Sequence, residues 1–251
     1  MARRTDGVRK HEQIAADLRG KINSDELRDG DRLPGENDLM RQYGVARMTA
    51  RQALAALQSE GIAVARKGAG VFVRTFRPVR RFGSRRLSRD VWGAGRSMWD
   101  VDDSPAAVAV DRLRVAEVPA PEDVASLLDV PPGTTVVARD RRYVVGDRPV
   151  QLATAYIPLG IAAGTQIAAD DTGPGGVYAR LAELGHEPVR FAEELHVRMP
   201  TPHEFDALEL VPGTPVIRVA RTAHARDGRP VEASLMTLSA DAYVLHYEFD
   251  A

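Results

Sequence analysis

The stretch from Leu33 to Val73, LPGENDLMRQYGVARMTARQALAALQSEGIAVARKGAGVFV, constrains this chain more than any other. Pro34 fixes the approach to a helix and Gly35 is an acceptable N-cap. Glu36 and Asp38 fall in the first turn, where the helix dipole favours carboxylates. Leu39, Met40 and Tyr43 give that short helix an apolar side, and Gly44 ends it. Val45 and Ala46 make a turn. A second helix is predicted from about Arg47 to Glu60, closed by Gly61. Ala50, Ala53, Leu54 and Leu57 recur at i, i+3, i+4 and i+7, one buried stripe. Two short Val-rich runs follow, Ile62 to Ala65 and Val71 to Arg74, joined by Arg66-Lys67-Gly68-Ala69-Gly70.

Helix, tight turn, helix and glycine-turned hairpin, in that order, make a winged helix-turn-helix, for which DNA is the expected partner. Arg47, Thr49, Arg51 and Gln52 lie off the apolar stripe, in the half of the helix that reaches base edges in such motifs. Lys67, Gly68 and Gly70 form a cationic tip. There glycine permits positive φ and lets backbone approach a phosphate or a minor groove closely. An earlier helix is predicted over about Lys10 to Asn23, with Ile14, Leu18 and Ile22 on one side.

The 251 residues suffice for two domains of ordinary size. With no cysteine, disulfides and thiolate zinc sites are excluded, and a reducing compartment fits. No apolar run reaches the roughly 18 residues of a membrane span. Met1 to Thr5 has no apolar core behind its basic residues, which argues against a signal peptide. The expected location is therefore cytoplasmic and nucleoid-associated, with no membrane partner. A formal net charge of −1 conceals an asymmetry: residues 1–99 hold 21 Lys and Arg against 11 Asp and Glu, and residues 100–251 hold 13 against 24. A polyanion would be drawn to the first part only.

Three regions are expected: a DNA-binding domain over 1–75, a basic linker over 76–103, and an effector-binding and dimerisation domain over 104–251. The linker shows no helical or strand period. It reads as a connector whose cations sit near DNA and whose Trp92 and Trp99 dock on the second domain, or as a segment that relays ligand binding. Beyond it the sequence repeats. Val118 to Val137 matches Met199 to Ile217, and each copy runs on to an Arg-Pro-Val, at 148–150 and 229–231. Each unit reads as a short helix after Pro-x-Pro, a Pro-Gly-Thr turn, then a hairpin turning at Gly146-Asp147 or Asp227-Gly228. Two copies suit a pseudo-symmetric α+β domain with an antiparallel sheet and a pocket between the halves. Between them, Asp171 to Gly176 precedes a helix. This glycine-rich stretch either cradles a phosphate or is a plain loop; it is no P-loop, since no Lys-Ser/Thr follows.

The first domain resembles the DNA-binding domain of the GntR family of bacterial transcription regulators. The resemblance rests on Leu33, Pro34, Glu36, Leu39, Tyr43-Gly44-Val45, Arg47, Thr49, Arg51, Ala53-Leu54, Leu57, Glu60-Gly61, Gly68, Gly70, Phe72 and Val73. Gly35 and Ala46 stand where the family has serines, and Asn37 where an arginine is common. The region from about Val108 to Phe249 resembles the effector-binding (UTRA) domain of the HutC subfamily, whose fold is related to chorismate lyase. That resemblance implies an α+β fold and a small polar ligand above the sheet. The implied pocket residues are Arg141, Tyr156, Arg190, Glu193, Glu232 and Tyr243. Ala153 and Tyr143 depart from sugar-phosphate binders of that group, which have Glu and a second Arg there.

Catalysis has no foothold, with no Gly-x-Ser-x-Gly, no Cys and no His-Glu-x-x-His. The six histidines show no metal-ligand spacing, so neither metal nor cofactor is expected. The expected function is a homodimeric, ligand-responsive regulator, a repressor that binds a palindromic double-stranded operator and is released by an effector of unknown identity. In the alternative, the second domain only dimerises or binds a protein.

Overall fold

A computed structural model of the chain describes residues 9–66, 68–74 and 77–249. These form two compact units that divide after residue 76. The first contains α1 (Lys10–Asn23), α2 (Glu36–Tyr43), α3 (Arg47–Ser59), β1 (Ala63–Arg66) and β2 (Gly70–Val73). Ile14, Leu18 and Ile22 of α1 meet Ala50, Ala53, Leu54 and Leu57 of α3, with Leu33, Leu39 and Val73 completing the core. The helical spacing in the sequence is thus the spacing of the buried stripe. Gly44 ends α2 at φ 62°, a left-handed value that favours glycine. With no side-chain cap at Gly35, Asp38 reaches back to accept its backbone N–H at 3.2 Å.

The second unit contains β3 (Val79–Phe82), α4 (Arg89–Trp92), β4 (Val108–Pro119), α5 (Glu122–Leu128), β5 (Thr135–Val145), β6 (Arg148–Pro158), α6 (Leu159–Ala162), α7 (Gly176–Glu183), β7 (Pro188–Arg198), α8 (Pro202–Ala207), β8 (Val216–Ala225), β9 (Pro230–Ser239) and β10 (Tyr243–His246). Six strands make one sheet in the order β4-β5-β6-β9-β8-β7, and its five pairings are antiparallel. The order is palindromic because the sequence repeat builds it: β4-α5-β5-β6 and β7-α8-β8-β9 are two copies of one unit. The copies agree in backbone detail. Asp129 and Glu209, each just after the short helix, both take left-handed φ, 53° and 51°.

Side chains alternate across a strand, so each β5 residue is assigned to a face. Val136 packs with Val124 and Leu128 of α5. Val137 points the other way, into a cluster with Ala155, Ile157, Ile167, Tyr178, Leu181 and Trp92. That second face carries α6, α7 and the segment 84–103.

The region set apart in the sequence as a linker contains secondary structure. β3 pairs in parallel with β10, and Trp92 is buried in the sheet cluster. Trp99 rests on Tyr143, ring centroids 4.8 Å apart. Two of its cations do not face outward as read. Arg81 is buried against Glu193, and Arg86 against Asp102. An arginine run without period looks solvated because the partner of Arg81 lies 112 residues away.

Candidate DNA interface and ligand cavity

In the first unit the charged groups of α3 are held rather than loose. Arg51 forks onto Glu36 of α2, with Nε to Oε1 at 2.7 Å and Nη2 to Oε2 at 3.3 Å. Arg47 donates to Asn37 Oδ1 at 3.0 Å and lies 3.8 Å from Glu36. Asn37, where an arginine was the family expectation, therefore orients one. The hydrogen bond from Arg51 holds the Glu36 carboxyl below its ordinary range. Both arginines remain open to solvent, their side chains 61% and 58% exposed. Gln52 is exposed and Thr49 half-buried on the same helix. Met48 was missed. It is 61% exposed beside Arg47, and only its failure to fit the apolar stripe marks it.

The hairpin β1–β2 carries Gly68 at φ 75° and Gly70 at φ 117°. A Cβ on Gly70 would press on the Arg32 guanidinium, at 2.9 Å from Nε. Arg66 stacks over Phe72, 4.5 Å from the ring centroid. Lys67, at the expected tip, lies outside the described residues.

In the second unit a cavity of about 330 Å³ opens on the face that bears α7 and the 84–103 segment. Its wall combines Arg86, Trp99, Arg141, Tyr143, Arg221 and Glu232. Of the six residues expected at a ligand, Arg141 and Glu232 are here. Glu232 is buried and accepts from the hydroxyls of Tyr178, at 3.1 Å, and Ser234. Glu193 stands one layer behind. It accepts a fork from Arg81 and a hydrogen bond from the Tyr247 hydroxyl at 3.0 Å. Burial is the largest influence and would raise its pKa, but the hydrogen bonds and charge of Arg81, the charge of Arg221 and the Tyr247 hydroxyl together hold it below the usual range. Tyr243 is also behind the wall, donating to Gln151 Oε1 at 3.3 Å; burial raises its pKa.

Tyr156 and Arg190 are not in the cavity. Tyr156 points to the opposite face, into a groove with Arg112, Arg114 and Arg218. Arg190 is exposed on the edge strand β7, opposite His224. Their parity along the strands, opposite to that of Arg141 and Glu232, decides this.

Arg86, Trp99 and Arg221 were missed. The first two sit in the aperiodic segment, where no pattern marks them. Arg221 was legible, because superposing the two Pro-Gly-Thr turns sets it over Arg141. Within the glycine-rich stretch, Gly175 is required by packing. A Cβ on Gly175, at φ 76°, would collide with the Trp92 carbonyl oxygen, although Gly173 to Val177 also edge the cavity. No group of His, Asp and Glu among the described residues could hold a metal ion. No described helix is long and apolar enough to cross a membrane.

Comparison with known proteins agrees with this division. Residues 10–73 match the model for bacterial regulatory proteins of the gntR family, and residues 106–244 match the UTRA domain. The HTH-type transcriptional regulator RB1450 of Rhizobium meliloti is 31% identical, covering 96% of each chain. The HTH-type transcriptional regulator Rv0792c of Mycobacterium tuberculosis is 31% identical over 88% of this chain and 78% of its own. The HTH-type transcriptional repressor NagR of Bacillus subtilis is 25% identical over 94% and 93%. Among solved structures, a GntR-family regulator superposes with a TM-score of 0.60 at 26% identity, covering 97% of this chain and 98% of its own. PhnF from Mycobacterium smegmatis shares the fold, with a TM-score of 0.54 at 23% identity over 95% and 99%. These families and relatives are transcription regulators, not enzymes. The chain belongs to the GntR family: it is a DNA-binding transcription regulator with a UTRA effector-binding domain behind its winged helix-turn-helix.

Proposed function

We propose that this regulator is a repressor, bound as a homodimer to a palindromic operator and released when a small molecule fills the cavity beside Arg141. Residues 1–75 bind DNA, 104–251 bind effector and dimerise, and 76–103 join them while lending Arg86 and Trp99 to the cavity wall. The observation that carries the reading is the cavity itself, a partly open space on the sheet whose wall sets Arg141, Arg221 and Glu232 among apolar residues, in a chain that also presents Arg47 and Arg51 to solvent. The name of NagR, a repressor, supports the direction of control. The site of action is the cytoplasm, on the nucleoid.

On DNA, Arg47, Thr49, Arg51 and Gln52 face the major groove, and Met48 adds an apolar contact of the kind that thymine methyls accept. Lys67, Gly68 and Gly70 lie against the backbone or minor groove. Glu36 holds Arg51 extended in free protein and surrenders it, wholly or in part, to a base. In the cavity, Arg141 and Glu232 touch the effector, while Glu193 and Tyr243 position its wall. Tyr156 and Arg190 take no part.

Selection of binding sites from random duplexes by the full-length protein tests the dimer and the operator together. The expected product is an inverted repeat whose half-sites lie about one helical turn, roughly 10 base pairs, apart. Enrichment of a single unrepeated half-site, with a monomer seen by light scattering, would overturn the dimeric reading.

A further inference from the structure

The two sequence repeats each contribute one arginine to the same cavity. Counting from the Pro-Gly-Thr turns, Arg141 on β5 and Arg221 on β8 are equivalent residues. Both line the cavity. The ladder confirms the equivalence, since Arg141 pairs with Ala153 on β6 and Arg221 with Ser234 on β9. Each guanidinium lies over a tyrosine ring, Arg141 over Tyr143 at 5.9 Å and Arg221 over Tyr178 at 5.5 Å.

Neither arginine has its donors satisfied. Nε of Arg141 and both Nε and Nη1 of Arg221 are buried without a hydrogen-bond partner among the described residues. Arg221 is 4% exposed. A buried, charged donor left unpaired is costly, so such atoms call for an explanation. The carboxylates nearby do not supply it. Glu193 comes within 3.9 Å of Arg221, too far for a hydrogen bond, and is already forked by Arg81. Glu232 accepts from Tyr178 on one oxygen and Ser234 on the other and makes no hydrogen bond to Arg221. Asp102 Oδ2 lies 3.1 Å from Arg86 Nη1 as an ion pair, although that oxygen and Arg86 Nε are themselves buried without a hydrogen bond among the described residues. On β4, the residue opposite Arg141 is Leu113, so that arginine has no carboxylate across the ladder.

The charges at and just behind the wall are the guanidiniums of Arg81, Arg86, Arg96, Arg141 and Arg221 and the carboxylates of Asp102, Glu193 and Glu232. They leave a formal excess of two positive charges. Burial, with repulsion from Arg81 next, brings Arg86 down to about 10, so it stays charged at neutral pH but in a strongly cationic setting. The arginines stand on β5 and β8, three strand spacings apart across β6 and β9, roughly 14 Å between backbones.

We propose that the effector is a small dianion with two separated anionic groups, one held by Arg141 and the other by Arg221, so that it bridges the two repeats. This rests on the cavity being the effector site, and it deepens that reading. The pseudo-two-fold arrangement favours a ligand with a charge at each end, of the dicarboxylate class. Arg221 is a binding residue in its own right, equal in role to Arg141.

The test is calorimetric titration of the full-length protein with saturated dicarboxylates from succinate to pimelate. Butyrate and hexanoate, inorganic phosphate and glucosamine 6-phosphate serve as contrasts. The expected result is an optimum chain length within the dicarboxylates, binding at least tenfold tighter than any monocarboxylate or phosphate. Arg141→Gln and Arg221→Gln should each lower that affinity at least tenfold. Should Arg221→Gln fail to fold, Arg221→Lys keeps the charge but loses the fork, and should still weaken dicarboxylates at least threefold while Arg141→Gln supplies the full loss. Phosphate or monocarboxylate binding as tightly as every dicarboxylate, or no dicarboxylate binding at all, overturns the dianion. The effector reading fails separately, when a ligand that calorimetry shows bound leaves operator affinity unchanged.

Discussion

Arg86 and Asp102 meet at 3.1 Å with side chains 2% and 0% exposed, and they close the two ends of the segment between β3 and β4 against each other. Asp102 also accepts the Phe82 backbone N–H at 3.1 Å, so one carboxylate ties together the start and end of that segment. Arg86 in turn lies over Trp99, 4.6 Å from the ring centroid, and Trp99 over Tyr143 in the cavity wall. Removing Asp102 strands a buried guanidinium. Asp102→Ala should therefore cost about 3–5 kcal/mol of stability, read as a loss of denaturation midpoint, with Trp99 fluorescence shifting toward that of exposed indole.

On the DNA face, Arg51→Ala should weaken specific operator binding by about 1–3 kcal/mol, the range for a bidentate base contact, and leave the melting temperature nearly unchanged because its pair with Glu36 is exposed. Anisotropy titration against operator and scrambled duplex separates the two effects. Lys67→Ala should act differently, lowering affinity for both duplexes alike and reducing the salt slope by about one.

How far the sequence could be read depends on where each partner lies along the chain. In the first unit, everything that mattered was local. The stripe of Ala50, Ala53, Leu54 and Leu57 and the break at Gly44 are set by neighbours within two turns, so helical spacing reveals them. The repeat made the second unit legible as a pair of α-β-β units, and Arg141 and Glu232 with it. Other features depend on contacts that no local pattern encodes. Arg81 finds Glu193 across 112 residues, which turns a basic connector into part of a buried wall. Tyr156 parts from Glu232 for a simpler reason: one step in strand parity moves a side chain to the other face of the sheet, here into the groove that Arg141 also borders.

Glu204 gives the fold a pH dependence. Its carboxylate is forked by Arg198 at 2.7 Å on both oxygens and caps Thr201 at 2.8 Å. The Arg198 hydrogen bonds are the main cause of a pKa held down to about 2. A carboxyl depressed in the folded state contributes stability above its unfolded pKa and loses it as pH falls through the folded value. This group's contribution should thus be intact above about pH 5 and decline toward pH 2. With Arg198 partly solvated, the amount is about 2 kcal/mol. Glu204→Gln should flatten that part of the stability-against-pH curve, measured by urea denaturation between pH 5 and 3.

Gly175→Ala should be poorly tolerated. The residue sits at φ 76°, and a Cβ there meets the Trp92 carbonyl oxygen. Strain and collision together should cost about 1–3 kcal/mol. The same change should displace the start of α7 and weaken ligand binding in the cavity, whereas Gly185→Ala, with φ 81° but open space around it, should show the backbone strain alone.

In the function proposed above, occupation of the Arg141–Arg221 cavity governs DNA binding at α3. The most direct measurement is operator affinity of the full-length protein by anisotropy, with the tightest dicarboxylate added to saturation as verified by calorimetry. Saturation should cost at least fivefold in operator affinity, and Arg141→Gln should show the same loss only at ligand concentrations at least tenfold higher. Equal operator affinity with the cavity empty and filled would contradict it.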